Sequence, residues 1–111
     1  MSNNKDPMRD EWKVEAEDDL KSIEKADPAL AEAALSAVDD LVNRRKVGSE
    51  LGKRRTSGDL TGLFRLKFDL PGARPERYRI IYQVIGDDSV LIWGLGERAS
   101  QWIYRLVESR R

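Results

Sequence analysis

Phe64-Arg65-Leu66-Lys67-Phe68-Asp69-Leu70 and, a short turn later, Tyr78-Arg79-Ile80-Ile81-Tyr82-Gln83-Val84-Ile85 decide how this chain folds. In the first stretch Phe64, Leu66, Phe68 and Leu70 alternate with Arg65, Lys67 and Asp69, the period-two pattern of a strand with one buried face. In the second, Tyr78, Ile80, Tyr82 and Val84 share one face, and Arg79, Ile81, Gln83 and Ile85 the other. Between them Leu70-Pro71-Gly72-Ala73-Arg74-Pro75 must turn. Gly86-Asp87-Asp88-Ser89 then reads as a hairpin loop, and Val90–Leu95 as a third strand.

Upstream the period changes. Leu30, Ala34, Ala37, Val38, Leu41 and Val42 form an apolar stripe at helical spacing, started by Asp27 as N-cap with Pro28 at the first helical position. The stripe ends in Asn43-Arg44-Arg45-Lys46, with Gly48 to close it. Ala16, Leu20 and Ile23 predict an earlier helix whose first turn holds Glu17, Asp18 and Asp19. Trp12 and Val14, alternating with Lys13 and Glu15, suggest a short first strand. Gly48 to Gly62 reads as a basic loop. From about Ala99 a last amphipathic segment sets Trp102, Ile103, Leu106 and Val107 against Arg105, Arg110 and Arg111. The expected architecture is α+β: a small antiparallel sheet with helices packed on one face, in the order β-α-α-β-β-β-α. Residues 12–111 are expected to form a single domain behind a polar N-terminal arm, residues 1–11.

Composition narrows the chemistry. The 111 residues contain no Cys and no His, which removes disulfide scaffolds, thiol nucleophiles, zinc fingers and every Ser-His or Cys-His arrangement. An enzyme built from this chain must use Tyr, Lys, Arg or carboxylates. The 20 basic and 20 acidic residues cancel, yet unevenly: residues 1–50 carry 8 basic and 13 acidic side chains, residues 51–111 carry 12 and 7. Between Arg44 and Arg79 there are 11 basic residues against 4 acidic, enough to attract a polyanion despite the neutral total. No apolar run approaches the roughly 18 residues of a membrane span, and Met1–Glu11 lacks the apolar core of a signal peptide. A cytoplasmic location without membrane contact is the expectation.

The strand alternation converts this charge into a candidate site. With Phe64, Leu66 and Phe68 turned to the core, Arg65 and Lys67 face the other way, and Arg79 joins them from the neighbouring strand. Three cations on adjacent strands repel one another unless an anion lies among them; the plainer reading is a set of exposed strand cations that discourage edge pairing. Lys53, Arg54 and Arg55 in the basic loop, and Arg74 and Arg77 in the link between the two strands, add further phosphate-contact candidates. Arg98 and Tyr104 are six residues apart, so they converge only if Arg98 precedes the last helix. Taken alone, Tyr104 reads as a half-buried helix aromatic. No metal-ligating or cofactor-binding motif is present.

Gly62-Leu63-Phe64-Arg65-Leu66-Lys67, Tyr78-Arg79-Ile80-Ile81-Tyr82-Gln83-Val84, and Gly96-Glu97-Arg98 with Tyr104 six residues on resemble the RelE/ParE superfamily of bacterial toxins, over about residues 12–108. In particular they are similar to RelE-type ribosome-dependent mRNA endonucleases. The resemblance implies a type II toxin that cuts mRNA in the ribosomal A site, with Lys67, Arg79, Arg98 and Tyr104 on the family's catalytic positions. Arg65 stands where a RelE-type enzyme often has lysine, which retains phosphate binding but hardly exchanges a proton. The reaction implied is metal-independent attack of an RNA 2′-hydroxyl on the adjacent phosphate, with Tyr104 as general base, Arg79 and Arg98 stabilising the phosphorane, and Lys67 as charge or general acid. The resemblance also implies an acidic, partly disordered cognate antitoxin, through whose complex the toxin oligomerises. Two other readings stay open: a ParE-like, non-catalytic inhibitor of DNA gyrase, and a repurposed member that only binds a partner.

Overall fold

In the computed structural model, which describes residues 6–54, 58–99 and 102–110, eight elements follow one another. They are β1 (Arg9–Trp12), α1 (Val14–Ala26), α2 (Pro28–Val42), β2 (Ser49–Arg54), β3 (Gly58–Phe68), β4 (Tyr78–Ile85), β5 (Ser89–Glu97) and α3 (Trp102–Ser109). The sheet order is β1-β5-β4-β3-β2.

Asp27 caps α2 through its carboxylate, which accepts the Leu30 N–H at 3.3 Å, and Pro28 occupies the first turn. Leu30, Ala31, Ala34, Ala37, Val38 and Leu41 are buried as the stripe requires. All of these but Ala31 meet Leu66, Phe68, Ile80, Tyr82, Val90, Ile92 and Leu95 from the sheet, and Ala16 from α1, in the main core. Ile92 and Leu95 could not share a face of a regular strand. A bulge at Trp93 allows it: Tyr82 pairs with Ile92, but Ile81 pairs with Gly94.

The α+β class and the order of the anticipated elements agree with the sequence reading; three details differ. First, the sheet is mixed. β1 runs parallel to β5, from Arg9 opposite Ser89 to Trp12 opposite Ile92. β1 is followed by two helices rather than a hairpin, so no turn imposes an antiparallel direction on it. It also begins at Arg9, so the expected arm, residues 1–11, gives its last three residues to the sheet, and Val14 opens α1. Second, the basic loop contains β2, held to β3 by its backbone ladder from Ser49 opposite Arg65 to Arg54 opposite Gly58.

Third, the helices occupy both faces. α1 and α2 cover one; α3 packs its Ile103, Tyr104 and Val107 against Leu60, Leu63 and Ile81 on the other. The apolar Leu63 and Ile81 sit out of phase with the main-core residues, and they make a second patch that α3 covers. Gly94 permits the approach, because a Cβ there would stand 2.9 Å from a Val107 methyl carbon and 2.7 Å from an Arg110 guanidinium nitrogen. Arg110 then fastens α3 to the distant α1, donating to Asp19 at 2.9 and 3.1 Å and to the Trp93 carbonyl at 2.9 Å.

Candidate functional site

Lys67 stands directly opposite Arg79 in the β3–β4 ladder, and Arg65 stands opposite Ile81. All four lie on the face shared with α3; Ile81 is covered by α3, and the three cations lie beyond it. There the strand ends, the 70–77 turn and the segment after β5 enclose a cleft of about 460 Å³. Its lining holds five cations, Arg65, Lys67, Arg77, Arg79 and Arg98, against two carboxylates, Glu76 and Glu97.

The cations are not equivalent. Arg77 is committed to Asp69, donating from Nε at 2.8 Å and Nη2 at 2.9 Å. Those bonds hold the Asp69 carboxyl well below the usual carboxylate range against the opposing effect of its burial, and raise Arg77 in turn. Arg79 is 5% exposed; its Nη1 donates to the carbonyls of Glu76 and Tyr78 at 2.9 Å each. Its Nε–H has no hydrogen-bond partner among the described residues. Its hydrogen-bond partners among the described residues are neutral carbonyls, so no counter-charge sits beside the guanidinium at the wall of the cleft. Arg65, Lys67 and Arg98 make no ion pair among the described residues. Arg98 does precede α3, and its backbone N–H donates to the Arg77 carbonyl at 2.9 Å.

The structure therefore brings Arg65, Lys67, Arg77, Arg79 and Arg98 to one cleft. Tyr104 is not among its lining residues; it is fully buried in the α3 cluster with Leu60, Leu63 and Ile81. Arg74 is exposed outside the cleft, its Nη1 turned to the Ala73 carbonyl at 2.7 Å. Lys53 and Arg54 lie on β2, opposite Asp59 and Gly58, and Arg55 falls outside the described residues. Sequence reasoning missed Glu76 and Glu97 in the lining, and Asp69 behind it. Glu97 was within reach, lying beside Arg98 in a motif already quoted. The role of Asp69 depends on where the 70–77 turn returns, which no local pattern encodes.

A second local contact fixes the start of β2 against β3. The Tyr82 hydroxyl accepts the Gly48 N–H at 2.8 Å, and a Cβ at Gly48 would collide with the Arg65 carbonyl and that hydroxyl. Burial pushes Tyr82 above its ordinary value, with the Gly48 bond acting the other way. The absence of a side chain at Gly48 keeps the approach to β2 close to Arg65.

The model of the ParE toxin family of type II toxin–antitoxin systems (parDE) matches residues 11–102. The chain belongs to this family. Among solved structures, the toxin is similar to a chain of the RelBE2 toxin–antitoxin complex from Mycobacterium tuberculosis, at 25% identity and TM-score 0.60, covering 89% of the toxin and 100% of that chain. It is also similar to an arginine-substituted variant of Escherichia coli RelE in the free state, at 19% identity and TM-score 0.59, over 94% and 97% of the two chains. No curated protein matches it. The toxin is thus a member of the RelE/ParE superfamily in sequence and in fold. No helix among its described residues is long and apolar enough to cross a membrane.

Proposed function

We propose that this toxin binds messenger RNA through the cationic cleft and cuts it on the ribosome. One observation carries the reading: Arg65, Lys67 and Arg98 surround a single cleft with no ion pair among the described residues, beside the buried Arg79. Repulsion within that set falls when a phosphate enters it. In the reaction an RNA 2′-oxygen loses its proton and bonds to the adjacent phosphorus. The bond from phosphorus to the 5′-oxygen breaks, leaving a 2′,3′-cyclic phosphate and a 5′-hydroxyl. Arg79 and Arg98 offer planar donors to the phosphorane oxygens, Arg65 adds binding charge, and Lys67 protonates the leaving oxygen.

In this scheme the Tyr104 oxygen, having first given up its own proton to solvent, takes the 2′-proton. Its ring packs under α3, so α3 must shift when the toxin meets the ribosome for the hydroxyl to reach RNA. Arg98→Ala is expected to lower cleavage about 10²–10³-fold, and Tyr104→Phe to abolish it, in primer extension on translating ribosomes. Full cutting by both variants would sink this reading. An acidic, partly disordered antitoxin, folding over the cleft, neutralises the same cations and brings toxins together in one complex, while the free toxin acts on ribosomes in the cytoplasm.

A second reading is favoured by the match to the ParE family and by the packing of Tyr104 in an apolar cluster. In it the toxin inhibits DNA gyrase by contact and catalyses nothing. Loss of supercoiling activity with no mRNA cuts would select it.

A further inference from the structure

The turn between β3 and β4 has a single buried carboxylate at its root. Asp69 follows the last residue of β3, and its side chain has no exposed surface. Oδ1 accepts the Leu70 N–H at 2.7 Å and Arg77 Nη2 at 2.9 Å. Oδ2 accepts the Arg77 N–H at 3.0 Å and Arg77 Nε at 2.8 Å. One carboxylate thus joins both ends of the turn. The returning end is also where the cleft is assembled. The Arg77 carbonyl accepts the Arg98 N–H, and the neighbouring Glu76 carbonyl accepts Arg79 Nη1, each at 2.9 Å.

We infer that Asp69 is a positioning residue for the cleft: by fixing the Arg77 main chain it sets where Arg98 and Arg79 present their charge. The inference rests on the reading of the cleft as an RNA-binding surface. The rival account makes Asp69 a plain turn staple or a nearby negative charge, and the accounts differ in sign. A carboxylate near five cations lowers their attraction for a polyanion, so a mere charge gives tighter RNA binding when it is removed. A positioning residue gives weaker binding although the site has become more positive. A staple lowers stability and leaves the affinity of the folded protein alone.

Asp69→Asn, which keeps the shape and removes the charge, is the variant to measure. Native-state hydrogen exchange is read at the Arg98 amide, and affinity with a short single-stranded RNA of mixed sequence. Expected are faster exchange at Arg98 and RNA binding weaker by about tenfold, the equivalent of one lost charge-assisted hydrogen bond. Unchanged exchange at Arg98, or RNA bound as tightly as or more tightly than by the wild type, overturns the inference. If the wild type binds no RNA while Arg98 exchange still responds to Asp69→Asn, the RNA reading falls and the positioning of the cations stands. Should the variant not fold, exchange in the wild type decides. Arg77 and Arg98 amides opening together support the link, and independent opening overturns it.

Discussion

The two faces of the β3–β4 hairpin share one backbone ladder and follow opposite rules. On the core face every cross-strand pair attracts: Phe64 stacks on Tyr82 and Phe68 meets Tyr78, each with ring centroids 5.5 Å apart, around the buried Leu66–Ile80 pair. On the other face Lys67 is set opposite Arg79, a like-charge pair of the kind that costs a sheet about 0.2–1 kcal/mol. One face is built for stability, and the other gives some of it up to hold like charges side by side.

Substitutions can separate the two faces. The largest effect is expected at the core. Ile80 is fully buried between aromatic neighbours. Ile80→Ala should lose about 2–5 kcal/mol of unfolding free energy in urea titration, because the packed strands cannot close the cavity. A smaller effect belongs to the hinge between the faces. Asp69 has a depressed folded value, so its contribution is present above the unfolded carboxylate range, near pH 4, and is lost as the pH falls further. Thermal unfolding should show wild-type stability dropping below about pH 4, and a flatter acid limb in Asp69→Asn. The smallest change is expected at Lys67. Lys67→Met removes the like-charge pair and should leave stability unchanged or raised by up to about 1 kcal/mol, while RNA binding weakens and loses part of its salt dependence. A clear loss of stability in Lys67→Met would erase the contrast between the faces.

The legibility of the molecule divides along similar lines. β3, β4 and α2 could be read because their signals are local: strict alternation in two, and a cap followed by a stripe in the third. Ser49-Glu50-Leu51-Gly52-Lys53-Arg54 has no such alternation, since β2 is held chiefly by main-chain bonds to β3. The position of α3 was hidden because Leu63 and Ile81 each look like a single apolar exception; only side by side do they form a patch. Parity alone placed Arg65, Lys67 and Arg79 on one face. It could not place Arg98, which depends on a bond to Arg77 across the sheet end, nor foresee that Tyr104 turns into the apolar cluster while Arg98 turns to the cleft.

The ion pair between Asp19 and Arg110 joins residues 91 positions apart in the chain, and β1 likewise pairs only with the last strand. During synthesis at about 5–20 residues per second, Asp19 waits several seconds or longer for its partner. β1 has no neighbour until β5, residues 89–97, has been made, and Arg110 follows α3 still later. Such long-range closure also slows folding once the chain is complete. The protein therefore spends the first part of its existence without the sheet that assembles its cationic cleft.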